Sequence, residues 1–205
     1  MDKTIKELYR LFNLMNEHLF SNELPEVQLV VMETAKQNAY GWFTPNKVWI
    51  SDDESVAKHE IALSAEYLNL KQDDYLKIVE TLLHEMIHLY CHVNNIKDTS
   101  RQGRYHNARF KQACEEHGMY FEIEKPDSTI GWSQALLTPQ TKELIRSWRV
   151  DEDAFRLRRV IQQKIASKQS YIKYECPLCD QSVRGKRNLR IKCFYCDVEL
   201  IGEDV

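Results

Sequence analysis

The chain has 205 residues, 43% of them hydrophobic and 29% charged, with a formal net charge of -3. This length can bury the core of one medium domain plus a small appendage, and the composition excludes a disordered or fibrous chain. A charge so near zero argues neither for nor against nucleic acid, so its distribution matters more than its sum. No apolar run nears the ~20 residues that span a bilayer, so no membrane role is expected.

In chain order, residues 3–20 place Ile5, Leu8, Leu11, Phe12, Met15 and Leu19 near one face of an amphipathic helix. Charges interrupt these apolar residues, unlike the compact block of an export signal, so a cytoplasmic protein is expected, nucleoid-associated if bacterial. Pro25 precedes a predicted strand over 27–32. The runs AYGWF (39–43) and KVWI (47–50) flank Thr44-Pro45-Asn46, which predicts a hairpin. EIALSAEYL (60–68) alternates Ile61, Leu63 and Ala65 and predicts a further strand. From Asp73 the period turns helical. Asp73 or Asp74 serves as cap, and Ile78, Val79, Leu82, Leu83, Met86, Ile87 and Tyr90 make a broad apolar face ending at Asn94-Asn95. A polar loop over 95–105 leads to a helix over 106–118, stopped by Gly118 with His117 in its last turn. A short strand over 119–124, a helix near 139–148 and a charged helix or linker follow.

The stretch TLLHEMIHLY (81–90) carries His84 and His88 four apart. On a helix they point the same way, one turn apart, so that two imidazoles reach one zinc. Glu85, about 100° further round, lies beside the metal's open position and suits the base that takes a proton from water. Zinc brings that water's pKa to about 7. Nitrogen ligands in this geometry favour zinc over other divalent ions. H-E-x-x-H arises by chance in ~2% of such chains, so alone it is a hint. Its rival is a helix whose polar residues face solvent, against which the apolar character of this helix weighs. A catalytic site needs a third protein ligand. His92 lies about 12 Å from His84 along the same helix and does not fit. His106, opening the next helix, is one candidate; a carboxylate, Glu115 or Glu116, is the other. His18 and His59 read as surface residues and His117 as a helix-terminal cation. Cys91 and Cys114 read as small buried side chains, and Tyr105 as a packing residue.

Near the end, Cys176 and Cys179 form one C-x-x-C pair and Cys193 and Cys196 another, thirteen residues on. Two such knuckles complete a tetrahedral four-thiolate site. Without an export signal, metal is favoured over disulfides. The expected unit is a zinc ribbon held together by its metal. Positive charge gathers around it: residues 154–192 hold eleven Lys and Arg against Glu175 and Asp180. Arg184, Lys186, Arg187, Arg190 and Lys192, with Tyr174, Phe194 and Tyr195 nearby, suit phosphate contacts and base stacking in DNA. Over 156–168 the same charge also reads as a solvated helix face.

VETLLHEMIHLYCHV, GRYHNARFKQACEEHG, the preceding IALSAEYL and the four-cysteine ribbon together resemble the SprT-like family, whose eukaryotic relatives include the Spartan DNA–protein crosslink protease. The resemblance covers most of the chain, and Y-H-N-x-x-F with the ribbon makes it more specific than H-E-x-x-H alone. It implies an α+β fold: a minimal zincin-like metalloprotease domain, helices on a small mostly antiparallel sheet, over residues 1–150. A charged helical linker over 151–170 and the ribbon over 171–205 would follow. It implies one catalytic zinc on His84, His88 and His106 with Glu85 as base, and one structural zinc on the four ribbon cysteines. It implies cleavage of DNA-bound or DNA-crosslinked proteins with little sequence preference, switched on by DNA. Two other readings are a partner-specific metalloprotease, for example of a repressor, and a non-enzymatic zinc-dependent nucleic-acid adaptor. The oligomeric state is not legible in the sequence.

Overall fold

The computed structural model describes residues 2–33, 39–68, 75–160 and 171–203. The chain forms two compact units, Met1–Ile161 and Gln162–Val205. The first holds helices and strands, the second strands alone among its described residues; the class is α+β, with four α-helices among the described residues.

The first unit opens with α1 (Asp2–Phe20), which buries Leu8, Leu11, Phe12 and Met15 along one face. Ser21 and Asn22 end it in left-handed backbone (φ 52 and 61). The Asn16 side chain then closes the turn, bonding both the N–H and the carbonyl of Leu24.

The main sheet contains β1 (Val27–Met32), β2 (Gly41–Ile50) and β3 (Ala57–Ser64) in the order β1-β3-β2. β1 runs parallel to β3 and β2 antiparallel, so this sheet is mixed rather than mostly antiparallel. The hairpin expected at Thr44-Pro45-Asn46 does not form. β2 runs through those residues, and its register with β3 shifts between Thr44 and Trp49. Proline has no N–H to give a ladder, so an irregular stretch accommodates Pro45 without a turn. The chain reverses instead at 51–56, where Ser51 N–H donates to Val56 O and the Asp53 carboxylate accepts from the Ser51 and Ser55 hydroxyls. β3 stops at Ser64, and Ala65–Tyr67 is a 3-10 turn rather than more strand.

α2 (Tyr75–Val93) buries every predicted apolar position except the half-buried Tyr90. The expected caps, Asp73 and Asp74, lie outside the described residues. Asn95 (φ 56) ends the helix. The polar loop that follows holds a small hairpin, β4 (Thr99–Ser100) against β5 (Tyr105–His106). His106 therefore sits in a strand and does not open the next helix. α3 (Ala108–Glu116) starts two residues later, with Asn107 as cap: its Oδ1 accepts from the N–H groups of Arg109 and Phe110. Gly118, at φ 85, follows the C-cap His117. The strand expected over 119–124 is cut to β6 (Met119–Tyr120), paired with β7 (Leu136–Leu137). α4 (Pro139–Ser147) begins with a Thr138 cap and a proline in its first turn.

The unit closes by returning to α1. Thr4 Oγ1 donates to Ala154 O at 2.6 Å, Asp151 N–H donates to Glu7, and Arg10 bonds both Glu7 and the Trp148 carbonyl. Beyond a 3-10 turn at Glu152–Phe155, residues 156–160 have no regular structure, so the charged helix expected there is absent. Residues 161–170 of that expected linker lie outside the described residues. No described helix is long and apolar enough to cross a membrane.

The second unit is a three-stranded antiparallel sheet of β8 (Tyr171–Glu175), β9 (Ser182–Lys186) and β10 (Ile201–Glu203), in the order β10-β8-β9. Tyr174 is its core. Gly185 and Gly202 flank the ring, and a Cβ on Gly202 would come within 3.0 Å of it. The Tyr174 hydroxyl donates to Lys186 O and accepts from Leu189 N–H. Tyr174 is thus a packing residue and not the exposed stacking platform expected.

Candidate functional site

Three imidazoles converge in the first unit. α2 supplies His84 and His88 one turn apart, and β5 supplies His106. The Nε2 atoms of His84 and His106 lie 3.3 Å apart, and those of His88 and His106 lie 3.2 Å apart. A tetrahedral zinc with nitrogen bonds of about 2.0–2.1 Å places its ligand nitrogens about 3.3 Å from one another. The donor set and spacing therefore fit a zinc ion. Glu115 and Glu116 are turned elsewhere: Glu115 pairs with Lys111, and Glu116 accepts from Gln112. His92 is exposed and packs edge-on against His59, away from the three.

Two of the three rings are held from behind. His88 Nδ1 lies 2.5 Å from Asp98 Oδ2, and His106 Nδ1 lies 3.2 Å from Ile130 O. Donation from those Nδ1 positions leaves the Nε2 lone pairs facing inward. The floor is Phe110, fully buried, whose ring centroid lies 4.5–4.8 Å from all three imidazoles. A second clamp comes from residues 130–132. His106 N–H donates to Ile130 O, and Trp132 N–H donates to His106 O. Gly131 between them has φ +68, and a Cβ there would sit 2.1 Å from His106 O, so only glycine fits.

The carboxyl of Glu85 is buried, and burial pushes its pKa up to about 7, against the lowering effects of His88 and a backbone hydrogen bond from Phe43 on β2. Burial likewise pushes His84 well below its ordinary value, and His106 down to about 4. Both rings are therefore neutral at pH 7, as metal ligands must be. Gly41 lets β2 approach α2 this closely: a Cβ there would meet Ala62 O and Thr81 Cγ2 at 2.9 Å and Glu85 Cγ at 3.3 Å.

The remaining histidines differ from expectation in part. His18 is exposed, stacked on Trp148. His59 is buried rather than on the surface, because β3 turns it inward beside Phe43 and His92. His117 is half-buried between Phe20 and Tyr90, with Nδ1 donating to Leu19 O. Cys91 and Cys114 are fully buried, and burial raises both thiols, to about 12 for Cys91. Tyr105 packs under the Arg101 guanidinium.

The second unit brings Cys176, Cys179, Cys193 and Cys196 together, all four sulfurs within 4.8 Å of one another and none in a disulfide. The Cys179–Cys193 separation is 3.7 Å, about what zinc–sulfur bonds of roughly 2.3 Å impose in a tetrahedron. The two knuckles repeat one pattern. In each, the first cysteine's carbonyl accepts from the aspartate four residues on, Asp180 or Asp197, and both aspartates adopt left-handed backbone (φ 60 and 59). The Leu178 N–H is the main influence drawing the Cys176 thiol down to about 7, toward the thiolate a metal needs. Phe194 and Tyr195, in the second knuckle, are 94% and 82% exposed. Arg184 and Lys186 share one face of β9, as alternate strand residues do. Arg190 and Lys192 are ion-paired with Glu199 and Asp197, so the local positive field is smaller than the basic residues alone suggest. In the first unit, Arg159 is likewise tied to Glu33 and Glu66.

The SprT-like family model matches residues 8–129, more than half of the chain. The chain belongs to the SprT-like family. The matched segment contains His84, Glu85, His88 and His106 with their supports Asp98 and Phe110, so this SprT-like chain carries a metalloprotease-like domain with a metal-binding histidine cluster. The four-cysteine unit lies beyond the matched residues. No curated protein matches the sequence.

Proposed function

We propose that the protein is a zinc-dependent endopeptidase acting on DNA-associated or DNA-crosslinked proteins, with its ribbon contacting DNA. The observation that carries this reading is the convergence of three Nε2 atoms beside the buried Glu85 in a SprT-like chain.

His84, His88 and His106 would hold the catalytic zinc, and the four ribbon cysteines a structural one. Bound by three imidazoles, zinc supplies Lewis acidity that polarises a carbonyl and acidifies water. Glu85 takes the proton from the attacking water and delivers it to the leaving amine. The Phe43 N–H orients its carboxylate, and burial keeps its affinity for a proton near neutrality, so it serves as base and then as acid. β2 is an edge of its sheet beside Glu85. A substrate segment adding to that edge would bind through main-chain hydrogen bonds, tolerant of side-chain identity. In the ribbon, Arg184, Lys186, Arg187, Arg190 and Lys192 would meet phosphates while Phe194 and Tyr195 stack on bases.

The test is cleavage of a small DNA-binding protein with and without single-stranded DNA, beside the Glu85→Gln variant. Cleavage that needs both Glu85 and DNA is the expected result. Glu85-dependent cleavage indifferent to DNA would remove the DNA role, and full activity in the variant would remove the mechanism.

A further inference from the structure

We propose that Asp98 is the positioning residue of the three-histidine site, fixing the His88 ring from behind, and that Asn107 locks the segment bearing Asp98 to the segment bearing His106. This rests on the metal-site reading above. The Asp98 and His88 side chains are only 16% and 13% exposed and meet at 2.5 Å. A carboxylate on Nδ1–H holds the tautomer whose Nε2 faces the other ligands, and makes that nitrogen a better donor to a metal.

Asp98 is itself held. Its carbonyl accepts from Asn107 N–H at 2.9 Å, and the Asn107 side-chain amide donates to Lys97 O at 2.8 Å. The other end of the same amide caps α3, accepting from Arg109 N–H at 2.8 Å and Phe110 N–H at 3.4 Å. Asn107, the residue after His106, thus ties the carboxylate segment to the helix that carries the Phe110 floor. The pairing of Thr99 with His106 across β4 and β5 adds to the same join. A helix that merely packs needs the Asn107 cap, but neither the Asp98 carboxylate on His88 nor the Asn107 bond to Lys97 O. Both stand where the third ligand, eighteen residues from His88, must be brought to it.

The experiment is zinc affinity of the full chain, by competition with a chromophoric chelator, with thermal unfolding of the metal-free protein measured alongside. Asp98→Asn and Asp98→Ala are expected to weaken the histidine site about 10- to 100-fold. The four-cysteine site, titrated in the same sample, and the metal-free unfolding midpoint are expected to stay unmoved. Asp98→Glu is expected to recover part of the affinity. Asn107→Asp keeps the cap acceptor but loses the bond to Lys97, and is expected to weaken the site too. Unchanged affinity in Asp98→Asn would overturn the proposal while leaving the metal site intact. Weakened affinity matched by a fall in metal-free stability would also overturn it, as the mark of a merely structural residue. A wild-type chain that takes zinc only at its cysteines would overturn the metal-site reading, and this proposal with it.

Discussion

Gly41 shows how one missing side chain sets the chemistry. It lies in the strand beside α2, and a methyl group there would strike Ala62 O, Thr81 and the stem of Glu85. Gly41→Ala must push β2 off α2 or push Glu85 out of place. The expected cost is about 1–3 kcal/mol of stability by overpacking. Peptidase activity is expected to fall on the order of 10- to 100-fold, since small misplacements of a reacting group carry that penalty. Zinc content should not change, because the atoms that a Cβ there would strike belong to Ala62, Thr81 and Glu85, none of them a ligand. Denaturant unfolding, metal analysis and cleavage rates on one preparation check all three. Equal activity in Gly41→Ala would show that the Glu85 position tolerates more than the packing suggests.

At the scale of elements, the first unit is closed by α1 gripping the stretch after α4. Glu7 accepts from Arg10 and from Asp151 N–H, and the Arg10 hydrogen bond, ahead of the others, draws its pKa below the usual carboxylate range. Glu7→Ala leaves the Asp151 N–H without its partner and should destabilise the unit by about 1–3 kcal/mol, read from denaturant melts. A lowered folded-state pKa fixes the sign with pH. The stabilisation is fully present above the unfolded carboxylate's pKa and is lost as pH falls through the folded one. The gap between wild type and Glu7→Ala should therefore narrow in acid. A gap that widens would contradict the pairing.

Much of this was legible from element-level pattern. Helical spacing placed α1 and α2, and the i, i+4 histidines and paired C-x-x-C knuckles named six of the seven candidate metal ligands. What stayed hidden depends on contacts distant in sequence. Asp98 sits in a polar loop and shows its role only where the β4–β5 hairpin folds it onto His88. Phe110 belongs to the Y-H-N-x-x-F motif, but its place as the floor needs α3 packed against α2. Gly131 lies in a stretch without periodicity, and only the clamp on His106 explains it. The Pro45 hairpin was misread because a proline between two apolar runs looks like a turn until β3 is seen pairing along both. His59 reads as a surface residue because a polar ring suggests solvent, and Tyr174 as a stacking platform because basic residues lie beside it, whereas both rings pack inward.

For the molecule as a whole, metal is expected to support the two units differently. The first has an extensive apolar core on α1, α2 and the sheet, whereas the second buries little beyond Ile172, Tyr174, Cys176 and Cys193. A unit with so small a core relies on its metal to stay folded. Strong chelation should therefore strip amide-exchange protection from residues 171–203 while α2 keeps its own. Loss of protection in both at once would contradict that division. In the metal-free chain, burial holds His106 near 4 and His84 well below the usual 6.5. The unfolded chain binds those protons first, so stability is undiminished above 6.5 and falls as pH drops toward 4. His106→Gln should make that fall shallower, and an unchanged slope would contradict the shift.

The central claim is an open zinc site beside a buried glutamate, and anomalous diffraction at the zinc edge from crystals of the full chain tests it most directly. The account predicts two zinc ions per chain. One lies among the sulfurs of Cys176, Cys179, Cys193 and Cys196. The other is bound by His84, His88 and His106 with no fourth protein ligand, and faces Glu85. A fourth protein ligand at the histidine site, or no zinc there in zinc-replete protein, would contradict it.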